Sequence, residues 1–114
     1  MKFDFDCVFY YVDDMEKAVS FYSDVLGLRM ASRDVVARFD LDGVLFELVP
    51  SYGKRKLGGD DNGRLCLRVD DIVQALEHLK MNGTRTGQIQ KVHNGSLAMF
   101  EDPDGNEICL WQYD

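Results

Sequence analysis

Glu47, Arg64 and Arg68 are charged residues set among apolar neighbours in strand-like runs of this 114-residue chain. On an alternating strand such positions carry charge onto a half-buried surface. A contact between Glu47 and Arg64 would either satisfy two inward charges or orient a polar group of a ligand. Arg68 is a candidate for holding an anionic group, or else a solvated strand end. Tyr11 is able to donate a proton or a hydrogen bond. His93, on an expected turn, has the chemistry of a general base near neutral pH, and an exposed turn histidine is its plainer description. Glu47, Tyr11 and His93 are therefore the catalytic candidates. Phe9, Tyr11 and Trp111 suit stacking on a planar ligand or ordinary packing on a sheet face. Cys7, Cys66 and Cys109 are odd in number, lie in apolar or strand-like runs and form no CxxC pair. That pattern fits reduced, buried thiols and argues against a disulfide framework. No serine stands in a nucleophile elbow, and neither a glycine-rich phosphate loop nor an HExxH motif is present, so any chemistry must come from the residues just named.

The elements that would position them occur twice. Val12-Asp13-Asp14-Met15 is matched by Val69-Asp70-Asp71-Ile72, 57 positions on, and Leu41-Asp42-Gly43-Val44-Leu45-Phe46-Glu47-Leu48 by Pro103-Asp104-Gly105-Asn106-Glu107-Ile108-Cys109-Leu110, 62 positions on. Each half reads as one supersecondary unit. In the first, residues 5–12 are aromatic and β-branched, as a strand requires. Asp13 or Asp14 caps a helix carrying Met15, Ala18, Val19, Tyr22 and Leu26 at helical spacing, and Gly27 stops it. Strands over 28–32, 35–41 and 44–49 follow, the last two joined through the hairpin signal Asp42-Gly43. In the second half, residues 64–69 form the first strand. Asp70 or Asp71 caps a helix with Ile72, Ala75, Leu76, Leu79 and Met81, ended by Asn82-Gly83. Strands over 85–93, 96–102 and 106–112 complete it, with Pro103-Asp104-Gly105 as the last turn. The glycine-rich, polar stretch 51–62 is a linker or a lid, and its Lys54-Arg55-Lys56 patch is solvated or anion-binding.

Alternation along the strands assigns faces. Val8, Tyr10 and Val12 turn to the first helix, and Cys7, Phe9 and Tyr11 turn away from it. Leu65, Leu67 and Val69 turn to the second helix, leaving Arg64, Cys66 and Arg68 on the far side. Leu45, Glu47 and Val49 join that far side in the first module, and Cys109 and Trp111 in the second. A cleft between the modules lined by these residues would be aromatic with a few charges.

The bulk composition narrows the partners. Thirteen basic and twenty acidic residues give a net charge of −7, which opposes nucleic acid and anionic membrane surfaces. No apolar run approaches the length of a membrane span and no secretory leader is recognised, so a cytoplasmic protein is expected.

Val12-Asp13-Asp14 followed by Ala18, Phe21-Tyr22 and Leu26-Gly27-Leu28 resembles the opening of vicinal oxygen chelate proteins, the glyoxalase, bleomycin-resistance and extradiol-dioxygenase superfamily. Phe100-Glu101-Asp102-Pro103-Asp104-Gly105-Asn106-Glu107-Ile108 resembles the closing hairpin of the same family. The resemblance implies an α+β fold of two tandem βαβββ modules forming a cupped mixed sheet, a single domain over 1–114 with modules at 5–50 and 63–112. It also implies one metal ligand on the first and one on the last strand of each module, positions held here by Cys7, Glu47, Arg64 and Cys109. Only Glu47 is of the expected type, and an arginine offers no lone pair to a cation.

The expectation is therefore a metal-free small-molecule-binding protein without a cofactor, enclosing a partly aromatic ligand among Cys7, Phe9, Tyr11, Glu47, Arg64, Cys66, Arg68, Cys109 and Trp111. The alternative is a divergent glyoxalase-like lyase or dioxygenase, using Glu47 with cysteine donors on a metal, or Tyr11 or His93 without one. A homodimer is expected, since short open sheets leave edges and apolar surface to cover.

Overall fold

A computed structural model describes residues 1–2, 4–52 and 65–114. The chain separates into two compact units, Met1–Gly59 and Asp60–Asp114. Each is a four-stranded mixed sheet with a helix on one side.

In the first unit the elements are β1 (Val8–Val12), α1 (Met15–Ser20), a π-helical turn (Phe21–Val25), β2 (Arg29–Arg33), β3 (Ala37–Leu41) and β4 (Val44–Pro50). The strand order is β1-β4-β3-β2, with β1 parallel to β4 and the others antiparallel. Of the two aspartates before the helix, Asp14 is the cap, its carboxylate accepting from the Lys17 N–H at 3.1 Å. Asp13 instead accepts from the Ser51 hydroxyl at 2.5 Å, fastening the end of β4 beside the start of the helix. The helical spacing read through Leu26 is not one regular α-helix. The Leu26 N–H reaches back five residues to the Phe21 carbonyl at 3.0 Å, which widens the turn where Phe21 and Tyr22 are both buried. Gly27, at φ +70°, then ends it. The strand expected over 5–12 begins only at Val8, where the parallel ladder with Phe46 starts, and Phe5 lies exposed before it. β2 carries a bulge between Met30 and Ser32.

The second unit runs β5 (Leu65–Arg68), α2 (Ile72–Met81), β6 (Gln90–Val92), β7 (Gly95–Glu101) and β8 (Glu107–Tyr113), in the order β5-β8-β7-β6. Asp71 caps α2 through the Gln74 N–H at 3.1 Å, and the Gln112 side chain takes the Ile72 N–H at 2.8 Å, tying the helix start to β8. The strand expected over 85–93 contracts to three residues. Upstream of it only an isolated Thr86–Phe100 bridge forms, closed by the Gly87 N–H to the Met99 carbonyl at 2.7 Å and the Glu101 N–H to the Arg85 carbonyl at 3.2 Å.

The helix-facing sides are the cores. Val12, Ala18, Tyr22, Ala37, Phe39, Phe46 and Leu48 are buried in the first unit, and Ile72, Leu76, Leu79, Ala98, Phe100, Ile108 and Leu110 in the second. Among the described residues no helix is long and apolar enough to cross a membrane.

Candidate functional site

Opposite each core lies the face on which the charged residues and thiols were expected. In the first unit Glu47 sits at the centre of that face, with Phe9 across the ladder on β1 and Arg38 across it on β3. The Arg38 Nε donates to Glu47 Oε2 at 3.2 Å, with the two side chains 33% and 19% exposed. The same guanidinium reaches Asp34 Oδ2 at 3.3 Å and Ser32 Oγ at 3.4 Å. A planar, always-charged group held by three partners is well fixed. Cys7, just before β1, has its thiol pushed up from its ordinary range by burial and by the nearby Glu47 and Asp6 carboxylates. Phe9 and Tyr11 lie on the same face with their rings edge to face, centroids 5.4 Å apart.

Of the residues singled out from the sequence, this unit therefore brings together Cys7, Phe9, Tyr11 and Glu47. Arg64, expected as the partner of Glu47, lies outside the described residues. Arg38 was missed, although a signal for it was present. A two-residue Asp42-Gly43 turn pairs Leu41 with Val44, and counting back three steps on each strand puts Arg38 opposite Glu47.

In the second unit Cys66 faces Cys109 and Arg68 faces Trp111 across the β5–β8 ladder. Cys66 is exposed rather than buried as expected. Burial, followed by the neighbouring Cys66 thiol, pushes Cys109 up to about 11. The Trp111 indole stacks edge to face on Tyr113 at 5.4 Å and lies over Gly95, where a Cβ would come within 2.8 Å of the ring. The indole N–H is buried and has no hydrogen-bond acceptor among the described residues. His93 sits in the exposed β6–β7 turn, apart from the β5–β8 thiols in the ladder.

The chain belongs to the Glyoxalase/Bleomycin resistance protein/Dioxygenase superfamily, whose family model matches residues 4–110. It is 32% identical over 112 residues to a lactoylglutathione lyase of Haemophilus influenzae, covering 85% of this chain and 83% of that protein. It is 29% identical over 114 residues to a lactoylglutathione lyase of Salmonella typhimurium, covering 87% and 84%. Among solved structures it resembles TnmS3, an antibiotic binding protein from Streptomyces sp. CB03234, at a TM-score of 0.75 and 27% identity, with both chains covered completely.

The resemblance read from the sequence also implies metal positions, of which Cys7, Glu47 and Cys109 are described and Arg64 is not. Glu47, the one residue of fitting type, is engaged by a guanidinium. Among the described residues no group of three or more histidine, cysteine, aspartate or glutamate side chains is arranged to hold a metal. A cation entering beside Glu47 would meet the positive charge of Arg38.

Proposed function

We propose that this protein binds a small, partly aromatic molecule on the first unit's sheet face, with Arg38 and Glu47 orienting its polar group and Phe9 and Tyr11 stacking on its ring. The observation that carries this reading is the Arg38–Glu47 contact: a fixed guanidinium stands against the carboxylate that a metal-dependent relative would need free. An Arg–carboxylate pair beside aromatic rings offers a ligand a cation, an acceptor and a stacking surface together. The likeness to an antibiotic binding protein supports the same reading. Cys66, Cys109, Arg68 and Trp111 are proposed as further ligand contacts, and a homodimer is proposed because Phe5, Phe9 and Tyr113 leave apolar surface exposed.

The similarity to lactoylglutathione lyases favours a second reading, an enzyme of that type. One experiment separates the two. Thermal-shift screening of planar aromatic acids and antibiotics is run beside an assay for S-lactoylglutathione formation from methylglyoxal and glutathione, with and without added nickel or zinc. Binding that is lost in Arg38→Met and Phe9→Ala, without turnover, supports the first reading. Metal-dependent turnover by the unaltered protein would replace it with the second.

A further inference from the structure

The β5–β8 ladder sets two of the three cysteines directly opposite each other, Cys66 against Cys109. Residues so opposed on neighbouring strands sit about 4.8 Å apart, the strand spacing. A disulfide accepts Cα separations of roughly 4.4–6.8 Å, and side chains of ladder partners leave the sheet on the same side, so the spacing of this pair falls within the range that a bridge accepts. Nothing comparable exists for Cys7, which lies against Glu47 and Asp6 and has no thiol opposite it in the β1–β4 ladder.

We infer that Cys66 and Cys109 form a reactive dithiol, a site for thiol–disulfide exchange with low-molecular-weight disulfides. Exposure divides the roles. Cys66 is open to reagents on the outermost strand of its sheet, whereas Cys109 is partly covered, its sulfur 3.8 Å from the Leu110 carbonyl. The Cys66 thiolate attacks one sulfur of the small disulfide RSSR; the S–S bond breaks and one RS⁻ leaves, taking up the proton that Cys66 gave to solvent. Cys109 then loses its proton and attacks the Cys66 sulfur, expelling the second RS⁻, which is protonated in turn. Two protein thiols are oxidised to one disulfide, and RSSR is reduced to two RSH. The flanking ladder partners Leu65–Ile108 and Leu67–Leu110 lie on the core side and hold the strands in register throughout. This inference stands on the β5–β8 ladder of the second unit and needs no bound ligand, although Cys66 and Cys109 are also among the proposed ligand contacts.

The test treats the full chain with excess oxidised glutathione at about pH 8, then alkylates and weighs it. The wild type should become two hydrogens lighter, keep one alkylatable thiol at Cys7 and yield a peptide linked through Cys66 and Cys109. Cys109→Ser should stop at a stable glutathione adduct on Cys66, and Cys66→Ser should react at least about tenfold more slowly. Three alkylatable thiols remaining in the wild type would overturn the inference, as would a persistent wild-type adduct or a link through Cys7. The wild-type result decides even if a serine variant folds poorly.

Discussion

The two units share a backbone and differ in what they mount on it. In the first, one rung across the sheet reads Phe9–Glu47–Arg38; in the second, the equivalent rung reads Cys66–Cys109–Met99. An aromatic ring, a carboxylate and a guanidinium are answered by two thiols and a thioether. The cores differ as well. Tyr22, Phe39 and Phe46 meet with ring centroids 5.2–6.2 Å apart in the first unit, while Leu76, Leu79, Ile108 and Leu110 with one phenylalanine, Phe100, fill the second. Strand register is set by which residues must be buried, so the helix-facing alternation is preserved in both units. The opposite face is not so constrained, and it is there that chemistry has diverged.

The comparison can be broken most forcefully in the cores. Phe46→Ala should cost about 3–5 kcal/mol and Leu110→Ala about 2–5 kcal/mol, read from urea unfolding midpoints. A Phe46→Ala cost below that of Leu110→Ala would show that the aromatic cluster is no better packed than the aliphatic one.

On the divergent faces, Cys7→His together with Arg38→Gln should raise affinity for nickel by about tenfold, near 1.4 kcal/mol, by setting an imidazole beside a freed carboxylate. Cys7→His alone should gain little. Equal gains by calorimetry in both variants would mean that Arg38 does not guard Glu47. The helix caps should behave alike despite the dissimilar helices that follow them: Asp14→Ala and Asp71→Ala should each lose about 1 kcal/mol. Unequal losses in denaturant titrations would place part of one cap's effect elsewhere.

The smallest effect concerns the first unit's hairpin. The Gly43 N–H and then Arg29 hold the Asp40 carboxyl below its ordinary value of 3.8. A carboxylate depressed in the folded state contributes stability that is fully present above its ordinary value and disappears as pH falls through the lowered one. Asp40→Asn should therefore flatten the acid limb of the stability curve below about pH 4, and an NMR titration should find Asp40 ionising below the ordinary value. An unshifted titration would remove Asp40 from the hairpin's account.

Legibility in the sequence followed the same division. Both modules, both tight turns and the helix-facing sides could be read, because burial imposes alternation and Asp-Gly imposes left-handed backbone: Asp42 and Gly43 have φ of +55° and +91°. Each helix start was narrowed to two aspartates, since either of two adjacent carboxylates can cap; geometry selects Asp14 and Asp71. The π-helical turn was hidden because one extra residue in a turn leaves the apolar spacing of Met15, Ala18, Val19 and Tyr22 intact. Arg38 was overlooked for a different reason. The faces of β1, β4, β5 and β8 were assigned, but those of the intervening strands were not followed across the hairpins.

The bulge in β2 has a bearing on what this chain does in the company of its own kind. β2 closes one border of its sheet, where unpaired backbone groups invite another strand to add. Here the invitation is spoiled twice. The bulge between Met30 and Ser32 breaks the regular spacing an incoming strand would have to match, and Arg29 and Arg33, paired with Asp40 and Glu16, flank it with charge. Runaway strand-by-strand growth into fibrils from this border would have to bury two guanidinium groups and straighten a kink, so crowding alone does not recruit it.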